Sequence, residues 1–189
     1  MPASRSVAHL DPRAPLVLDT RELGRRAGSL RTLALTIPAP AGWGLELIEV
    51  PPGEDVHLDL RLEAVMDGVL VTGTVTAPVR AECGRCLEAV HDELEVDVQE
   101  LFAYEPDPAG DGEVSLMVGD FIDFEPIVHD ALVLGLPLNP VCTEDCSGLC
   151  TGCGEQLSNL PEGHNHDEVD PRWAALSSLS TDESPEKGS

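Results

Sequence analysis

Residues 58–99 read LDLRLEAVMDGVLVTGTVTAPVRAECGRCLEAVHDELEVDVQ, and their patterning decides the fold class. In Leu58-Asp59-Leu60-Arg61-Leu62-Glu63 apolar and charged side chains alternate, the period of a strand with one buried face. Asp67-Gly68 is a two-residue hairpin signal. From Val69 to Cys83 the alternation resumes, with Val69, Val71, Val75 and Val79 on one face and threonines on the other. A third run sets Leu94, Val96 and Val98 against Glu93, Glu95, Asp97 and Gln99. These runs predict a three-stranded antiparallel meander, polar on one side and in need of cover on the other.

The cover is expected downstream. Pro126 suits a first helical turn, Ile127, Val128, Ala131, Leu132 and Leu134 follow at helical spacing, and Pro137 stops the run. Asp170 is a candidate N-cap for a second short helix through Leu176. Upstream, Pro15–Leu18 reads as a short edge strand, and Leu33–Ile37 as extended. Thr20 can cap a brief helix through Arg26 that Gly28 ends. Breaks fall at 38–44, 51–53 and 105–113. The fold expected is α+β: an antiparallel β-meander or partly closed barrel, covered by one or two short helices, with a Cys-rich zinc-binding loop at 141–167. One zinc-stabilised domain is expected over 14–179, between a flexible lead (1–13) and a disordered tail (180–189).

The 189 residues hold 11 Lys+Arg against 35 Asp+Glu, a net charge of −24. Hydrophobic residues make up 42% and aromatics only 3%, so the core has to be aliphatic. Up to Arg31 there are six arginines and three acids; beyond it, five bases and 32 acids. Such a body repels phosphates, which disfavours direct nucleic-acid binding. The same surface attracts a basic partner, although acidic faces also serve solubility alone. No apolar run approaches the ~20 residues needed to span a bilayer, and no signal-peptide pattern opens the chain. A cytoplasmic location is expected.

All six cysteines lie in two clusters: Cys83-Gly84-Arg85-Cys86, and Cys142, Cys146, Cys150 and Cys153, followed by His164 and His166. Clustered thiolates in a reducing compartment point to metal, and soft sulfur donors at tetrahedral reach select Zn2+. Two ligand sets are compatible with the spacing. One joins Cys83, Cys86, Cys150 and Cys153 on a single ion. The other uses all eight groups, with Cys83, Cys86, Cys142 and Cys146 on one ion and Cys150, Cys153, His164 and His166 on a second. Either set closes the coordination sphere, which makes the metal structural. A redox Cys-x2-Cys normally opens a helix, whereas a strand follows here. No phosphate-binding glycine loop or nucleophile elbow is present, so the expectation is a non-enzymatic protein with no catalytic residues.

Three segments carry a resemblance: ECGRCLEAV (82–90), LGLPLNPVCTEDCSGLCTGCGEQL (134–157) and DPRWAALSSL (170–179). In this order they resemble the YceD-like family of large ribosomal RNA subunit accumulation proteins. The segment LVLDTRELGRRAGSLRTL (16–33) resembles its high-GC Gram-positive branch. The resemblance implies a bacterial cytoplasmic factor needed for large-subunit rRNA levels, linked to a small basic ribosomal protein or a pre-large-subunit particle. It also implies a Cys-x-Cys pair in relatives where this chain has His164-Asn165-His166, which favours a metal role for both histidines. The function expected is ribosome biogenesis through protein contact. The alternative is a redox-sensitive zinc protein with thiol-switched, chaperone-like activity.

Overall fold

In the computed structural model, residues 10–106, 114–166 and 172 are described. The chain divides into two compact units, Met1–Cys146 and Ser147–Ser189. The lead's first nine residues, the tail and the helix expected from Asp170 lie outside the described residues, Arg172 excepted.

The first unit is built on the meander. Strands β1 (Val17–Asp19), β2 (Leu30–Pro38), β3 (Gly44–Leu45), β4 (Ile48–Glu49), β5 (Asp55–Ala64), β6 (Gly68–Glu82), β7 (Ala89–Ala103) and β8 (Phe121–Asp123) precede helix α1 (Glu125–Gly135). β1 and β8 pair as a two-stranded sheet. The others form one antiparallel sheet in the order β2-β5-β6-β4-β3, with β7 on β6. The hairpin between β5 and β6 closes through Val65 N–H to Gly68 O. Gly68 is required there by proximity: a Cβ would lie 2.2 Å from the Phe102 carbonyl oxygen on β7.

The sheet is open, which corrects the expectation of a partly closed barrel. β2 and β7 pair with β5 and β6 respectively and not with each other. Closure needs strong strand stagger and bulges that bend the strands. Here β6 and β7 match one to one from Gly68↔Ala103 to Glu82↔Ala89 without a bulge, so the edges stay apart.

The alternation read from the sequence sorts the faces as expected. On β5, Val56, Leu58, Leu60 and Leu62 are buried while Asp55, His57, Asp59 and Arg61 are exposed. The core is aliphatic around Leu58, Leu62, Val71, Val75, Ile122, Val128 and Leu132, with Trp43, Phe102 and Phe124 as its aromatic members. α1 starts with Pro126 in its first turn, ends before Pro137, buries Val128 and Leu132, and packs on β7. Its Gly135 approaches Val96 and Leu94.

The brief helix expected from Thr20 is instead a turn. The Thr20 hydroxyl donates to Asp120 O, so it is not available to cap a helix. Gly24 and Gly28 take φ of +62° and +87°, outside the helical region. No helix among the described residues is long and apolar enough to cross a membrane.

Candidate metal centre

The eight predicted ligands gather into two groups of four, each within one unit. Cys83, Cys86, Cys142 and Cys146 form the first; Cys150, Cys153, His164 and His166 form the second. Within each group all ligand atoms lie within 4.8 Å of one another. This is the arrangement that uses every donor. All six cysteines are free of disulfides.

The two Cys-x2-Cys turns share one backbone design. In the first, Cys83 N–H donates to Glu88 O and Leu87 N–H to Cys83 O. In the second, Cys150 N–H donates to Glu155 O and Gly154 N–H to Cys150 O. The fifth residue of each turn is left-handed: Leu87 at φ +62° and Gly154 at +75°. Glycine takes that conformation freely, whereas leucine is strained there. The turn folds backbone N–H groups toward the sulfurs, the arrangement that stabilises thiolates.

The first group sits where β6 ends. The Gly84 N–H donates to Pro140 O, and Arg85 Nη1 donates to the carbonyls of Glu144 and Cys146. These bonds bring the segment 140–146 against the strand turn. Arg85 was not singled out from the sequence; the signal available was its place inside the Cys-x2-Cys. The Cys142 N–H, assisted by those of Cys86 and Arg85, lowers the Cys83 thiol to about 6 against the effect of burial. The Glu88 N–H favours the Cys86 thiolate, but burial and the thiols of Cys83, Cys142 and Cys146 outweigh it and push Cys86 up to about 12. Four thiols this close cannot all ionise without a cation.

Distances test whether a metal fits. Zinc–sulfur bonds of about 2.3 Å place tetrahedral sulfurs about 3.8 Å apart. The Cys83 and Cys146 sulfurs are 3.8 Å apart and those of Cys86 and Cys142 3.6 Å. In the second group Cys153 Sγ lies 3.6 Å from His164 Nε2, and the two Nε2 atoms are 3.0 Å apart. The N–H groups of Cys153 and Gly152 hold the Cys150 thiol below its ordinary range. The first donor set fits a tetrahedral ion by distance and by its soft sulfurs; the second fits by its donor types and its sulfur–nitrogen distance, with the two imidazole nitrogens about 0.3 Å closer than the ideal tetrahedral edge.

Gly152 makes the second group possible. A Cβ there would lie 2.2 Å from His166 Cδ2 and 2.4 Å from its Cγ. Gly152→Ala is therefore expected to displace His166 and remove one bound metal per chain, leaving the first group loaded. Metal analysis of the purified variant checks this; two retained ions would contradict it.

The chain was compared with known families and proteins. The model of the family described as "Large ribosomal RNA subunit accumulation protein YceD" matches residues 71–180, a span that includes all eight ligands. An uncharacterized protein of Mycobacterium tuberculosis (strain H37Rv) is 48% identical over 168 residues, covering 86% of this chain and 80% of the relative. One from Mycobacterium leprae is 42% identical over 177 residues, covering 92% of this chain and 81% of the relative. Uncharacterized protein YlbN of Bacillus subtilis is 30% identical over 123 residues, covering 64% and 69%. No solved structure matches the chain. With the family model spanning more than half of the sequence and mycobacterial relatives matching over most of their length, the chain belongs to the YceD family.

Proposed function

We propose that this protein is a non-enzymatic, cytoplasmic factor supporting large-subunit rRNA accumulation, and that it acts by holding a basic large-subunit ribosomal protein or a pre-large-subunit particle. The family description carries the process. The protein contact is supported by charge: a chain at −24 whose sheet exposes Asp59, Asp92, Glu93, Glu95 and Asp97 suits a basic protein better than RNA. The two donor groups hold structural Zn2+ in this reading, since four protein ligands leave no position for an activated water.

The test is capture of partners by the tagged, metal-loaded protein from lysate, with and without ribonuclease, at two salt concentrations. Basic large-subunit proteins are expected to persist after ribonuclease and to dissociate at high salt, because surface charge is screened over ~8 Å at physiological ionic strength. Loss of all ribosomal material on ribonuclease treatment would overturn the protein-contact reading.

The exposure of Cys153 favours one alternative, a thiol-switched zinc protein. Peroxide would take two electrons from two thiolates, forming a disulfide and water and releasing the ion. Zinc release by mild peroxide together with a gain of holdase activity would select it.

A further inference from the structure

The apolar face of the meander is incompletely covered near the start of β7. A cleft of about 230 Å3 opens there, lined by Val79, Ala81, Val90, Leu94, Pro137 and Val141, with Asp92 and Glu93 also in its wall. Leu138, beside Pro137, is 81% exposed, and Leu134 near the end of α1 is 85% exposed. Exposed apolar surface beside an apolar cleft is the kind of surface that interaction sites use.

β7 is also a sheet edge. Among the described residues β6 is its one partner strand, and its outer side is bridged only at the far end, where Ala103 meets Leu116. Exposed edges invite strand addition and are normally blunted, often with lysine. This edge carries acids: Asp92, Glu93, Glu95 and Asp97 are exposed and form no ion pair among the described residues. Such an edge repels a second copy of itself and an RNA backbone, and admits a basic strand.

The register specifies the occupant further. Val90, Asp92, Leu94 and Val96 pair with Ala81, Val79, Ala77 and Val75 and so share the apolar face. Glu93, Glu95 and Asp97 pair with Pro78, Thr76 and Thr74 on the opposite face. A strand laid beside β7 would send alternate side chains to these two faces.

We propose that the outer edge of β7 and the adjoining cleft form one docking surface for an extended protein segment that alternates basic and apolar residues. The segment adds as a strand, seats apolar side chains toward the cleft, and sets lysines or arginines against Glu93, Glu95 and Asp97. This rests on the reading of a basic protein partner and locates where that partner binds.

The test uses the full-length, metal-loaded protein and a labelled peptide of alternating lysine and valine. Saturable binding that weakens with salt is expected, with slowed amide exchange across residues 91–99. Glu93→Lys/Glu95→Lys/Asp97→Lys is expected to weaken binding about tenfold or more, and Leu138→Glu, which removes an exposed apolar contact, to weaken it severalfold. Both should keep the wild-type melting temperature. A probe methylated at alternate backbone nitrogens is expected not to bind. Equal binding by the triple variant, undiminished binding of the methylated probe, or protection elsewhere would each overturn the proposal. The lysate capture separates the two ideas. If wild type and triple variant retain the same ribonuclease-resistant ribosomal proteins, the docking surface is wrong and the functional reading stands. If wild type retains none, the functional reading itself fails.

Discussion

Removing metal with a strong chelator is expected to abolish the structure of residues 147–166 while the sheet persists. Among these residues only Gly148 and Cys150 are buried, so this unit has no apolar core among its described residues to oppose chain entropy. Its order rests on the knuckle bonds at Cys150, a bridge between Leu149 and Gln156, a short 3-10 turn at Leu157–Asn159 and four converging ligands. Structural zinc supplies an apparent ~10–16 kcal/mol in zinc-finger peptides, and such peptides unfold without it. Nothing else described in this unit approaches that magnitude. The sheet differs, because its core of buried aliphatic side chains runs from Leu16 to Leu136 independently of any ligand. Amide exchange before and after chelation checks the expectation. The amides of Cys150 and Gly154 should lose protection entirely, and those of Leu60 and Val71 should keep theirs. Persistent protection at Cys150 in metal-free protein would show that the unit holds itself.

Cys83→Ser is expected to lower the metal content from two ions to one and the melting temperature by roughly 10 °C, the scale of a severe single-site loss in a chain of this size. Cys83 is fully buried at the end of β6. A serine hydroxyl is a hard, poor ligand for a soft-donor site. It would also leave N–H groups that now favour a thiolate facing a neutral oxygen. The turn also carries the left-handed Leu87, a conformation that leucine holds only at a cost, so a weakened site leaves it less well supported. Cys153→Ser, at an exposed position of the second unit, should remove one ion as well, with little change in the melting of the sheet. Metal analysis paired with calorimetry separates the two variants. A Cys83→Ser protein with two ions and wild-type melting would remove the first group from the account.

The meander was legible because a period of two is unambiguous when leucine or valine alternates with charge, as in Leu58–Glu63 and Leu94–Gln99. Other features depend on partners far along the chain. Thr20 carries the local signature of a helix cap, yet its hydroxyl bonds Asp120 O, 100 positions away. Closure into a barrel depends on bulges, which alternation does not encode, so the open sheet was not legible. The edge position of β7 likewise depends on strand order. The grouping of ligands rests on the Gly84 N–H to Pro140 O bond and the Arg85 clamp, which spacing alone does not reveal. Gly154 shows openly the left-handed position of one knuckle. Leu87 hides the same position in the other, and only the backbone shows the two turns to be alike.

The sequence distances inside the two metal groups set a timetable during synthesis. Cys83 and Cys146 are 63 positions apart, whereas Cys153 and His164 are 11 apart. At about 5–20 residues per second, the first cysteine pair waits about 3–13 s for the rest of its site, and the second knuckle about 0.5–2 s for its first histidine. The nascent chain therefore carries Cys83 and Cys86 as an incomplete ligand pair for most of that interval, open to oxidants and to the wrong ion. That exposure falls on the group whose later closure fixes the segment from Pro140 to Cys146, and with it one wall of the cleft beside β7.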